Sequence, residues 1–230
     1  MKVTFYESIK SSPFFGTIFP ESKHFDDSKY FNKDNLLKYT LSKIKFFLKD
    51  KNGKEVILGL QVFYKTNNGK EIASEEYRDK IEKEIYIKDL EITQNDYICN
   101  FFLKCGDDRV TQIRLATKRG KELTVGSDEG KEKIVEFIND NKENVILYFS
   151  GVYRKCLEAI GLAYIPSKIF HLLLSLGYFE LKYKLKNKDF KNAVLSKYDQ
   201  LSESDKVLYK VCCLDNDDLF NSIIKFCLFN

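Results

Sequence analysis

The feature that most constrains this chain is a period-two alternation of apolar and polar residues, repeated between glycine turns from residue 41 to about 165. Ile44, Phe46 and Leu48 fall on one face of an extended segment. Val56, Leu58, Leu60, Val62 and Tyr64 fall on one face of the next, and Glu84–Lys88 and Arg109–Leu115 alternate in the same way. Side chains of a strand point alternately to its two faces, so this pattern predicts antiparallel strands with one face buried and one wet. The connections carry turn chemistry. Asn52-Gly53 and Asn68-Gly69 supply two adjacent residues that tolerate positive φ, the requirement of a tight hairpin. Gly-Lys-Glu recurs at Gly53, Gly69, Gly120 and Gly130. We read each glycine as closing a turn and each Lys-Glu pair as opening the following strand toward water, in preference to four copies of a binding loop.

After Pro166 the periodicity changes. Phe190, Ala193, Val194, Tyr198 and Leu201 recur at helical spacing, and Ser204 is placed to cap a second helix carrying Val207, Leu208 and Val211. Asp215, Asp217 and Asp218 put negative charge at the start of a third, where the helix dipole favours it. Leu219, Phe220, Ile223, Ile224, Cys227 and Leu228 stripe that last helix, while Phe226 and Phe229 lie off the stripe. A helix apolar on more than one side needs a second surface to bury against, which makes Leu219, Phe220, Ile223, Phe226 and Phe229 candidate protein-binding residues. The expected organisation is a β body over residues 1–165, followed over 166–230 by a linker strand or loop and a helical appendage.

Composition removes several functions. The 230 residues are 43% hydrophobic, enough to build a core, and the formal net charge is only +4. Five cations are arginine (Arg78, Arg109, Arg114, Arg119 and Arg154), the residue that reads phosphates and bases in bidentate fashion, so no nucleic-acid partner is expected. The lysines at 182, 184, 186 and 188 read as the solvated face of an extended segment. The six cysteines form no Cys-x-x-Cys pair, and neither His24 nor His171 stands at ligand spacing from a cysteine. Asp107-Asp108 lacks the alternating oxygen spacing of a calcium loop, and no glycine-rich phosphate loop occurs. We therefore expect no catalytic residue, no metal and no cofactor. No apolar run is long enough to span a membrane, and Glu7 and Lys10 interrupt the N-terminus, so a cytoplasmic protein with free thiols is expected.

Several segments resemble the jacalin-related lectins. Gly151-Val152-Tyr153 leading into Leu157-Glu158-Ala159-Ile160-Gly161-Leu162-Ala163-Tyr164 is similar to the last hairpin of that family, with its Leu-Asp-x-Ile-Gly run. Val110–Lys121 looks like its strand, Thr, turn and Gly-Lys segment, Ile57–Tyr64 like its early strand ending in Tyr, and Pro13–Gly16 with Phe25-Asp26-Asp27 like its opening. The resemblance covers residues 13 to 165. It implies a mostly β fold, a jacalin-like β-prism of three four-stranded Greek-key sheets about a pseudo-threefold axis. It also implies a sugar site at a Gly-x-x-x-Asp loop, where the carboxylate accepts hydrogen bonds from adjacent sugar hydroxyls. Here that loop holds Tyr153, Arg154, Lys155, Cys156, Leu157 and Glu158, with Gly16 left from the glycine-rich N-terminal stretch. Arg154 stands at the glycine position and Glu158 at the aspartate position, so the arginine is expected to fill the gap and pair with the glutamate. Two functions follow: a non-catalytic scaffold or interaction subunit of an intracellular assembly, with other protein subunits as partners, or a lectin that recognises a glycan through the Arg154–Glu158 loop.

Overall fold

The structure is a computed structural model. It describes residues 9–31, 39–66, 70–82, 84–93, 96–133 and 144–167. The helices expected after Pro166, the lysine run at 182–188, His171 and the Asn68-Gly69 turn lie outside these residues. Two compact units divide the chain after Ser167.

Among the described residues of the first unit, thirteen strands follow in order: β1 (Lys10–Ser11), β2 (Phe15–Gly16), β3 (Lys23–Asp26), β4 (Tyr39–Lys51), β5 (Lys54–Thr66), β6 (Glu71–Ala73), β7 (Tyr86–Glu91), β8 (Ile98–Cys105), β9 (Val110–Thr117), β10 (Glu122–Gly126), β11 (Lys131–Lys133), β12 (Asn144–Tyr153) and β13 (Leu157–Pro166). A short 3-10 turn, Asp27–Tyr30, follows β3. Three antiparallel sheets result. One runs β6-β5-β4-β7 and another β10-β9-β8-β11, each a Greek key whose fourth strand returns beside the first. The third runs β1-β13-β12-β3, with β2 also on β13, so it is built from both ends of the unit. The three-sheet prism implied by the resemblance is present, but its third sheet has five strands where four were expected, because β1 and β2 both pair with β13. The N-terminal strands flank the last hairpin, which is what brings Gly16 and residues 17–22 to the loop after β12.

The hairpins behave as their sequences require. Asn52 and Gly53 have φ of 57° and 76°, and the Asp50 carboxylate accepts from the Gly53 N–H at 2.9 Å. Lys54, Glu122 and Lys131 open or adjoin the strands after their glycines, in keeping with the turn reading. Two strand readings need correction. The segment read as Glu84–Lys88 pairs with β4 only from Tyr86, and it continues to Glu91. Val56 is half-buried, whereas Ile57 is fully buried. The register of β4 against β5 slips between Phe47 and Leu48, so Gly59 and Ile57 face consecutive partners and Leu58 is the extra residue. A bulge reverses the facing of everything on its far side, which strict alternation in the sequence does not reveal.

The core lies between the sheets. Ile44, Phe46 and Leu60 come from the first sheet, Phe101, Leu103 and Ile113 from the second, and Phe149, Leu157 and Ile160 from the third, all at 0–1% exposure. Aromatic contacts join the sheets at their edges. Phe101 approaches Phe149 with centroids 6.2 Å apart, Phe25 stacks on Tyr77 at 4.4 Å, and Phe31 meets both Tyr64 and Tyr148 at 5.1 Å. Beneath Phe31, the fully buried Asp27 accepts hydrogen bonds from the Tyr64 and Tyr77 hydroxyls, each at 2.5 Å. That carboxylate ties the 3-10 turn to β5 and to the strap after β6. Burial pushes its pKa up to about 6, against the lowering effect of the two phenols.

Candidate functional site

The loop picked out from the sequence joins β12 to β13, and its geometry begins with a register slip. Tyr153 pairs with Leu157 while Val152 pairs with Ala159, leaving Glu158 as the residue with no cross-strand counterpart. A bulge of this kind re-aims a side chain, and here it turns the Glu158 carboxylate under the loop. The Arg154 N–H donates to the Cys156 carbonyl at 3.2 Å and closes the turn. The segment from β2 to β3 lies against it. Gly16, paired with Ala159, has φ of 124°, and a Cβ there would run into the Glu158 carbonyl. Glycine is therefore required at 16 by the close approach of two backbones. The Thr17 N–H also donates to the Glu158 carbonyl at 3.3 Å, while the Thr17 hydroxyl reaches the Asp107 carbonyl at 2.7 Å. Three loops thus converge at this end of the prism.

Glu158 is 2% exposed and both of its oxygens are engaged. One accepts from Arg154 Nε at 2.5 Å, and the other from the Ser22 hydroxyl, which itself accepts from the Phe19 N–H at 3.1 Å. The Arg154 guanidinium lies over the Phe19 ring at 4.2 Å from its centroid, and its Nη1 reaches the Glu21 carboxylate at 3.2 Å. The bond to Glu158 holds the Arg154 pKa above its already high usual value. The expected Arg154–Glu158 pairing is therefore present, four residues apart.

The other candidate residues separate. Leu157 is fully buried and packs into the core, so its side chain is not offered to a ligand. Tyr153 is half-buried, with its ring 6.4 Å from Phe25. Lys155 is exposed. Burial pushes the Cys156 thiol up to about 11, so it stays protonated at neutral pH and lacks thiolate reactivity. Phe19, Glu21 and Ser22 complete the site but were not singled out from the sequence. They lie more than 130 residues from Glu158 and carry no local motif; the pairing of β2 with β13 and of β3 with β12 brings them near. The candidate docking residues Leu219, Phe220, Ile223, Phe226 and Phe229 lie outside the described residues. Among the described residues no helix is long and apolar enough to cross a membrane.

A family model for the jacalin-like lectin domain matches residues 22–163. No curated protein matches the chain in sequence. Among solved structures, the agglutinin of Calystegia sepium is 14% identical, covering 68% of this chain and 96% of the agglutinin, with a TM-score of 0.52. Artocarpin in its mannotriose complex is 16% identical over 68% of this chain and 97% of artocarpin, with a TM-score of 0.51. A single-chain recombinant jacalin is 17% identical over 68% and 93%, also with a TM-score of 0.51.

Proposed function

Since this chain belongs to the jacalin-like lectin domain family, we propose that it is a non-catalytic binding module in which the family's sugar loop has been closed from within, and that it acts as a protein-interaction subunit of an intracellular assembly. One observation carries this reading: both oxygens of the buried Glu158 are taken by Arg154 and Ser22. A carboxylate recognises a sugar by accepting hydrogen bonds from neighbouring hydroxyls, and one that is 2% exposed, with each oxygen already engaged inside the protein, is withdrawn from them. Arg154, laid on Phe19, occupies the space that glycine leaves in the family pattern.

The prism supplies a rigid body. The docking role falls to Leu219, Phe220, Ile223, Phe226 and Phe229 of the C-terminal segment, whose apolar pattern exceeds what one packed face needs. The cytoplasmic placement rests on the Cys156 thiol, which is free and suits a reducing compartment.

A glycan array probed with the wild-type protein and with Glu158→Ala tests the reading, and the expected result is no reproducible signal from either. A wild-type signal that Glu158→Ala abolishes overturns it and establishes a lectin working through this loop, as the artocarpin–mannotriose relative suggests for the fold. Deleting residues 189–230 is expected to release the protein from its complex while the prism stays folded.

A further inference from the structure

The same ion pair that withdraws an acceptor from the loop leaves donors at its surface. Nε of Arg154 is bound to the buried Glu158, and one face of the guanidinium is fixed on Phe19. The outer edge is different. Among the described residues Nη1 meets only Glu21, at 3.2 Å, with the Glu21 side chain 72% exposed, and Nη2 has no hydrogen-bond partner. An ion pair this exposed contributes little and is readily replaced. The arginine is thus immobilised in advance by its inner contacts, with a planar pair of donors turned outward. That geometry matches the two oxygens of a carboxylate. Two further cations stand beside it. Lys23 lies directly across the β3–β12 pair from Tyr153, the residue before Arg154, and Lys155 follows Arg154; both lysines are exposed. Asp108, whose charge also reaches this loop, is paired with Arg109 at 3.9 Å.

We infer that the Arg154 loop is a receptor for an acidic, extended peptide segment of a partner protein, one of whose carboxylates displaces Glu21 from the outer edge of Arg154 while neighbouring acids meet Lys155 and Lys23. A single acidic sugar presents one carboxylate to one cation. A run of Asp or Glu answers three, and that charge complementarity favours the peptide. The inference rests on the interaction reading above and names the chemistry of the partner. Glu21 becomes an internal competitor, and this gives the proposal an asymmetric signature.

The test is fluorescence anisotropy of the full chain with a labelled hexaglutamate peptide, with hexaglutamine as control and free glucuronate as competitor. Wild type is expected to bind hexaglutamate and not hexaglutamine, more weakly as salt rises. Glu21→Gln is expected to tighten binding about three-fold by removing the competitor, and Arg154→Gln to weaken it by about ten-fold or more. Glu21→Gln lies on the surface and leaves Glu158 paired, so it tests the proposal even if Arg154→Gln fails to fold. Unchanged or weakened binding in Glu21→Gln overturns the proposal, as does displacement by glucuronate at the concentration of peptide carboxylates. If hexaglutamate fails to bind while the glycan array stays silent, the acidic segment alone is refuted. A glycan signal lost in Glu158→Ala refutes the underlying reading instead.

Discussion

Asp27 gives the sharpest quantitative prediction, because it sits at 0% exposure between two phenols and titrates near neutrality. Burial raises its pKa from 3.8 to about 6, and the Tyr64 and Tyr77 hydroxyls and the Lys29 charge pull it down, while Asp26 adds a small upward push. The folded protein therefore holds a proton at Asp27 that the unfolded chain has lost, and stability rises as pH falls. This contribution is fully present below the unfolded value and disappears as pH climbs through about 6. The whole shift corresponds to about 3 kcal/mol at 1.36 kcal/mol per pH unit. Between about pH 7.5 and 5 the linkage relation gives about 1.4 kcal/mol, a rise in Tm of about 3–6 °C for a chain of this size. Thermal melts of wild type and Asp27→Asn across that range isolate the group, because the difference between the two removes every other titration. The variant is expected to lose this slope. Tyr64→Phe, which deletes one donor to the carboxylate, is expected to move the midpoint of the wild-type rise to higher pH. A wild-type-minus-variant difference that is flat or falls on acidification would refute the assignment of this buried carboxylate as the titrating group.

Other perturbations follow from the packing. Glu55 accepts from Tyr86 at 2.6 Å, Lys88 at 2.7 Å and the Gly126 N–H at 2.6 Å, linking the edge of one sheet to the next. Burial pushes Glu55 up, but Lys88, Tyr86 and Gly126 together hold it below its usual value. Its contribution is present above the ordinary carboxylate pKa and lost as pH falls through the lower folded one, opposite in sign to Asp27. Glu55→Gln should cost about 1–3 kcal/mol in urea unfolding at neutral pH and remove that acid-side loss. Gly59→Ala would drive a methyl into the Tyr77 carbonyl, displacing the strap that bonds back to Leu60 at 2.9 Å; a cost of about 1–3 kcal/mol is expected in the same assay. A neutral Gly59→Ala would mean that the strap is free to move.

Much of the prism was legible in the chain. Alternating residues such as Leu60, Val62 and Tyr64, and turns such as Asn52-Gly53, specify strands and hairpins locally, because side-chain direction and positive φ are properties of a few neighbouring residues. The bulge that buries Ile57 and leaves Leu58 unpaired was not legible, since nothing in the local alternation marks a slip of one residue. Of the site, Arg154 and Glu158 stood out by their place in the last hairpin, and their spacing already allowed them to pair. Phe19, Glu21 and Ser22 did not, and neither did the Asp27–Tyr64–Tyr77 contact, where each residue reads separately as an ordinary loop or strand position.

The sequence by itself determined the strand periodicity, the turns, the family resemblance and the exchange of Gly and Asp for Arg154 and Glu158. Only the tertiary structure decided what that exchange does. The pairing of β3 with β12 and of β2 with β13 carries Ser22, Phe19 and Glu21 onto the loop, so that one carboxylate is buried with both oxygens engaged while one guanidinium edge is left at the surface. Local chemistry sets which groups a loop carries. Whether they are spent on each other or offered to a ligand depends on contacts made across more than 130 residues of chain, which no short-range pattern encodes.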